Sequence, residues 1–151
     1  MSDMKTVLLP ERIMLDSNAS SKKRVLEEIS ELCAAEDEAE LFYHLLINRE
    51  HLGSTALGEG VALPHCRIPS LKQSIGCFIR LKQGIDFHAP DHQKVDLIFG
   101  LFVPTAATTD HLELLAHLAS LFSDATIRET IRQTTNVDEV YRLLSEPAHV
   151  H

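Results

Sequence analysis

The chain has 151 residues, 44% of them hydrophobic, with a mean hydropathy of −0.03, enough to close one domain around a buried core. Lys and Arg number 14 against 22 Asp and Glu, a formal net charge of −8, which excludes a binder of nucleic-acid backbones built on basic clusters. No apolar run reaches the ~18 residues of a membrane span, and the start Met1-Ser2-Asp3-Met4-Lys5 lacks a signal-peptide core, so a cytoplasmic protein with no direct membrane insertion is expected.

In chain order, a short apolar lead, Val7-Leu8-Leu9, precedes a helix capped by Ser20 or Ser21 and running to about residue 35. Val25, Leu26, Ile29, Leu32 and Cys33 form one stripe along it. Its basic start, Lys22-Lys23-Arg24, is followed by Glu27, Glu28 and Glu31 and reads as a solvated face. A second helix is expected over residues 38–49, with Leu41, Phe42, Leu45 and Leu46 inward. A short glycine-relieved strand then leads into Pro64. The pattern next turns to period two, Ile75, Cys77 and Ile79 alternating with Gly76, Phe78 and Arg80. The run Val95 to Val103, ending at Pro104, is too apolar for a wet face and reads as a central strand covered on both sides.

Thr108-Thr109-Asp110 offers N-caps for a helix to about Phe122, with Leu112, Leu115, Leu118, Ala119 and Phe122 on one face. A short helix near Ile127–Gln133 follows. The last begins after Asn136, buries Val137, Val140, Tyr141 and Leu144, and stops at Pro147. Helices before, between and after strands make an α/β fold, a central mixed β-sheet covered by helices on both faces in a single domain. The domain is expected to fill residues 1–151, with about 5–146 ordered and 147–151 a tail.

His65 is the candidate centre. Pro64 fixes its own φ and pushes Leu63 to extended geometry, so His65 is delivered, exposed, at the end of a strand on a backbone that cannot curl into helix. Pro69 closes the loop. Imidazole is nucleophilic and exchanges protons near neutral pH. The alternative is a turn histidine with no role. Cys66 beside it points the other way along an extended backbone and reads as a filler rather than a nucleophile. Cys33, Cys66 and Cys77 form no C-x-x-C pair, which argues against disulfides and a thiolate metal site.

Two more residues suit phosphoryl chemistry. Arg49, at the end of the second helix, carries a planar fork that grips phosphate oxygens in pairs. His111 lies in the first turn of a helix, where backbone N–H groups favour an anion, and follows the central strand. Read singly, Arg49 fits a surface charge and His111 a helix-start residue equally well. His88 and His92 with His65 or Asp91 lack any helical ligand pair, so no metal is expected. Gly58-x-Gly60 has Leu63 where a dinucleotide fingerprint needs its third glycine, and no cofactor is expected.

These residues together resemble a known family, the EIIA domains of the bacterial phosphotransferase system of the fructose/mannitol type, from Val7 to about Ser145. The anchor is Asn48-Arg49-Glu50 followed by Ser54-Thr55-Ala56-Leu57-Gly58-Glu59-Gly60-Val61-Ala62-Leu63-Pro64-His65. Ile85-Asp86-Phe87, Val95-Asp96-Leu97 and Asp110-His111-Leu112 fall in register with later family blocks. The resemblance implies that His65 carries a phosphoryl group received from an HPr-like phosphocarrier protein, and that Arg49 and His111 hold the phosphate and tune the nucleophile. The Pro64-His65-Cys66-Arg67 continuation resembles the nitrogen-regulatory branch, which implies regulatory protein partners governed by phosphorylation state. Cys66 stands where many members have glycine. Two other readings are a sugar-specific EIIA serving a membrane EIIB/EIIC pair and a binding module without phosphate chemistry.

Overall fold

The computed structural model describes residues 3–106 and 108–146, apart from the side chains of Thr108 and Asp110. Its elements in chain order are α1 (Met4–Val7), β1 (Leu8–Ser17), α2 (Lys22–Cys33), α3 (Ala39–His51), β2 (Ala56–Gly58), β3 (Val61–Ala62), β4 (His65–Ile68), β5 (Ile75–Ile85), β6 (Val95–Pro104), α4 (Thr108–Ser123), α5 (Ala125–Gln133) and α6 (Val137–Ser145). The sheet runs β1-β5-β6-β3-β2, and β4 also pairs with β6. β1 is parallel to β5, β5 antiparallel to β6, and β3 and β4 both parallel to β6. The sheet is therefore mixed, with β6 near its middle, as its apolar run requires.

Alternate residues of β6 serve two cores. Ile98 and Phe102 face α2 and α3, where Phe42 meets Phe102 at a ring separation of 4.7 Å. Leu97, Phe99 and Leu101 face α4, α5 and α6. The α/β sandwich with helices on both faces is thus present in one domain. Ser21 is the cap of α2, its hydroxyl accepting from the Arg24 N–H at 3.1 Å. The expected caps of α4 and the tail at 147–151 involve positions outside the described residues, or side chains that are.

Four readings change. β1 is ten residues long where only a three-residue lead was legible. It is an edge strand with register irregularities against β5, so Pro10 is tolerated and no clean alternation is imposed. The buried stripe of α3 is Phe42, Leu46 and Glu50, and Leu41 is 48% exposed. The stripe of α4 begins at His111 and continues through Leu114, Leu118 and Phe122, leaving Leu112 67% exposed. Lys22 is not on a solvated face: its ammonium pairs with the buried carboxylate of Glu50 at 2.9 Å and lies 4.6 Å from the centre of the Phe87 ring. A buried carboxylate is costly unless paired, and α2 starts where it supplies the pair.

Candidate functional site

β3 and β4 lie end to end on one side of β6, separated by Leu63 and Pro64. Pro64 has no N–H to give the ladder, and its carbonyl instead accepts from the Leu101 N–H at 2.9 Å. The strand reaching Pro64 therefore breaks, and His65 starts a new strand rather than ending the old one. It stands opposite Leu101 and is half-buried rather than fully exposed. The hairpin that delivers this strand turns through Gly58, Glu59 and Gly60, all at positive φ. A Cβ on Gly60 would lie 2.9 Å from Asp96 Oδ1 and closer still to the Arg132 guanidinium.

Along β4, Cys66 and Ile68 turn into the core under α2 and α3, while His65 and Arg67 share the opposite side. Cys66 is buried, and burial pushes its thiol pKa up to about 12, against a weaker downward pull from Arg49. It is a packing residue. The His65 ring donates from Nδ1 to the Leu63 carbonyl at 2.7 Å. A carbonyl can only accept, so Nδ1 carries the proton and Nε2 keeps the lone pair of the neutral ring.

The structure brings Arg49 and His111 to the same place. His111 packs against His65 with ring centres 5.5 Å apart and planes at 82°. It is buried at the start of the α4 stripe, and its Nδ1 has no hydrogen-bond partner among the described residues. Arg49, in the last turn of α3, donates to the Gly53 carbonyl at 3.1 Å. Its remaining donors meet no acceptor among the described residues.

The electrostatics favour neutral rings flanked by fixed positive charge. Burial holds the His65 pKa below the ordinary imidazole value; the Leu63 carbonyl opposes this, Arg49 adds to it, and Glu50 opposes it. His111 is also held below the ordinary value, by burial first and then by His65 and Arg67. Near neutral pH the site therefore offers an imidazole nucleophile and an imidazole donor, with charge supplied by the Arg49 and Arg67 guanidinium groups. Among the described residues no group of three His, Cys, Asp or Glu side chains is arranged to hold a metal.

Sequence reasoning passed over Arg67 and the buried group behind the site. Glu50 is a carboxylate on an apolar stripe, and one of its oxygens accepts from the Thr55 hydroxyl. The other pairs with Lys22. The legible signal was its spacing, four and eight residues after Leu46 and Phe42.

Comparison with known proteins gives a consistent result. The family model described as "Phosphoenolpyruvate-dependent sugar phosphotransferase system, EIIA 2" matches residues 6–146. A nitrogen regulatory protein of Pseudomonas aeruginosa is 38% identical over 144 residues, covering 93% of this chain and 94% of the relative. The crystal structure of nitrogen regulatory protein IIA-Ntr from Neisseria meningitidis matches with a TM-score of 0.88 and 42% identity, covering 92% of this chain and 97% of that one. IIA mannitol from Escherichia coli shares the fold, with a TM-score of 0.72 at 23% identity over 89% of this chain and 96% of that one.

Proposed function

The chain belongs to the EIIA 2 family of the phosphoenolpyruvate-dependent phosphotransferase system, and on that premise we propose that it is a nitrogen-type phosphocarrier and regulator that holds a phosphoryl group on Nε2 of His65. The observation that carries this reading is the 2.7 Å hydrogen bond from Nδ1 to the Leu63 carbonyl, which leaves Nε2 as the only nucleophilic nitrogen of the ring. The donor is an HPr-like protein phosphorylated on histidine, and the setting is the cytoplasm. As the donor's P–N bond breaks, its electron pair stays with the donor ring while the Nε2 pair forms the new P–N bond. No proton has to leave His65.

Such transfer needs in-line approach and positive charge around the equatorial oxygens, with little further chemistry from the protein. Arg49 supplies a fork with donors to spare, and Arg67 adds charge on the His65 side of β4. His111, neutral and packed edge to face against His65, is a donor and a steric wall. Leu52, 85% exposed beside Arg49, and Leu112, 67% exposed beside His111, provide apolar contact for a docking protein. Donor and regulated partner would use this surface in turn. The higher identity to nitrogen regulatory proteins than to IIA mannitol favours regulation over service to a sugar permease.

The test is to incubate the chain with phosphoenolpyruvate, enzyme I and the HPr-like donor and to read the intact mass. One phosphoryl group is expected on the wild-type chain and none on His65→Ala. Uptake at the wild-type rate by His65→Ala would place the acceptor elsewhere, and no uptake by the wild-type chain would leave a binding module.

A further inference from the structure

The chain of contacts behind His65 runs further than phosphoryl acceptance requires. The Leu63 carbonyl that receives His65 Nδ1–H belongs to a residue whose own N–H donates to the Thr55 carbonyl at 3.1 Å. The Thr55 hydroxyl donates to Glu50, and Glu50 is tied to Lys22 at 2.9 Å. The Glu50 side chain is 1% exposed. Four segments, the start of α2, the end of α3, the approach to β2 and the Leu63-Pro64 break, are thereby fixed to one another around a single buried carboxylate.

We propose that Glu50 is a positioning residue for the chemistry of His65, holding through Thr55 and Leu63 the carbonyl that keeps Nδ1 protonated, and supporting with its charge the ring that carries phosphorus on Nε2. This rests on His65 being the acceptor. When Nε2 gives its pair to phosphorus and Nδ1 keeps its proton, the ring acquires formal positive charge. The Leu63 carbonyl and a carboxylate behind it favour that state. The groups that face His65 are Arg49 and Glu50 from α3, Arg67 beside it on β4 and the neutral His111 from α4. The Arg49 guanidinium disfavours a cationic ring, and among the described residues Glu50 is the one carboxylate whose charge acts the other way on His65. Its place is thus to balance the cations needed for the phosphoryl oxygens, so that the ring can be charged and discharged.

The experiment uses the full chain. Glu50→Gln keeps the size and offers an amide oxygen to Thr55 but removes the charge. Three quantities are read: the His65 titration and tautomer by 15N NMR, and the equilibrium of phosphoryl exchange with the phosphorylated HPr-like donor. In Glu50→Gln the His65 titration should move to lower pH, and the exchange equilibrium should shift toward the donor roughly three- to tenfold. Glu50→Asp, which keeps the charge, should return the titration toward the wild-type midpoint. An unmoved titration, tautomer and equilibrium in Glu50→Gln would overturn the proposal, as would a Glu50→Asp variant shifted as far as Glu50→Gln. Should Glu50→Gln fail to fold, the 13C carboxyl resonance of Glu50 in the wild-type chain must respond as His65 titrates, because coupling between two sites is reciprocal; a resonance that ignores the His65 midpoint would be equally decisive against it. His65→Ala serves as the separate control: if it still accepts phosphate, the acceptor reading fails and not only this one.

Discussion

At the scale of single residues, the proposed phosphoryl site separates tasks that one side chain cannot combine. A nucleophile must be neutral, yet the group it receives is an anion that needs positive charge nearby. Burial keeps His65 and His111 neutral, while Arg49 and Arg67 bring the charge. Arg49→Lys keeps charge but loses the fork, and His111→Ala removes a donor. Each should slow phosphoryl transfer about ten- to a hundredfold, the worth of one charge-assisted hydrogen bond in the transition state. Single-turnover kinetics with circular dichroism as the control for folding will measure this, and wild-type rates in both would make the two residues structural. The pH dependence follows from the same burial. Because burial holds the His65 pKa below the ordinary imidazole value, the acid limb of the transfer rate should lie at lower pH than a free imidazole would give. His65, His111 and His117 all have folded-state pKa values below the unfolded one. The native state therefore binds fewer protons than the unfolded chain, so the contribution of these groups to stability is present above the unfolded value of about 6.5 and is lost as pH falls from there through the lowered folded values. Thermal melts across pH 5 to 8 should show that slope; melting points that rise toward acid would contradict it.

At the scale of elements, the site is made by how strands and helices begin and end. The turn Gly58-Glu59-Gly60 sends β3 back beside β6, and Gly60 sits at φ 80° against the Arg132–Asp96 ion pair. Gly60→Ala combines left-handed strain with a clash on that pair and should cost about 1–3 kcal/mol. Chemical denaturation measures it, and an unchanged midpoint would show that the turn relaxes freely. Legibility in the sequence followed the same lines. Pro64-His65 was readable because proline acts locally, and β6 because Leu97 to Val103 is apolar on both faces and stops at Pro104. The helix stripes were harder. Leu112 and His111 are neighbours, and hydropathy put the leucine inside; the fold instead needs the histidine inward to meet His65, so the leucine is left in solvent. Glu50 was hidden for the converse reason, since its partners Lys22 and Thr55 are set only by tertiary packing. β1 escaped notice because an edge strand with irregular register prints no alternation.

At the scale of the molecule, a chain of net charge −8 gathers Arg49, Arg67, His65 and His111 at one place, and Leu52 and Leu112, close to Arg49 and His111 in sequence, are exposed. A phosphoryl group would add about −1.5 to −2 charge to that patch. The surface seen by a partner thus changes sign locally while the fold around it, tied by the β4–β6 ladder, has no need to move. The proposed switch is thus a change of surface charge, and it turns on which atom is phosphorylated. That atom is accessible by two-bond 15N–1H and 31P correlation on the phosphorylated, 15N-histidine-labelled chain. A single phosphohistidine is expected, at Nε2 of His65, with Nδ1 still bearing its proton. Phosphorus on Nδ1, or on any other histidine, would contradict it.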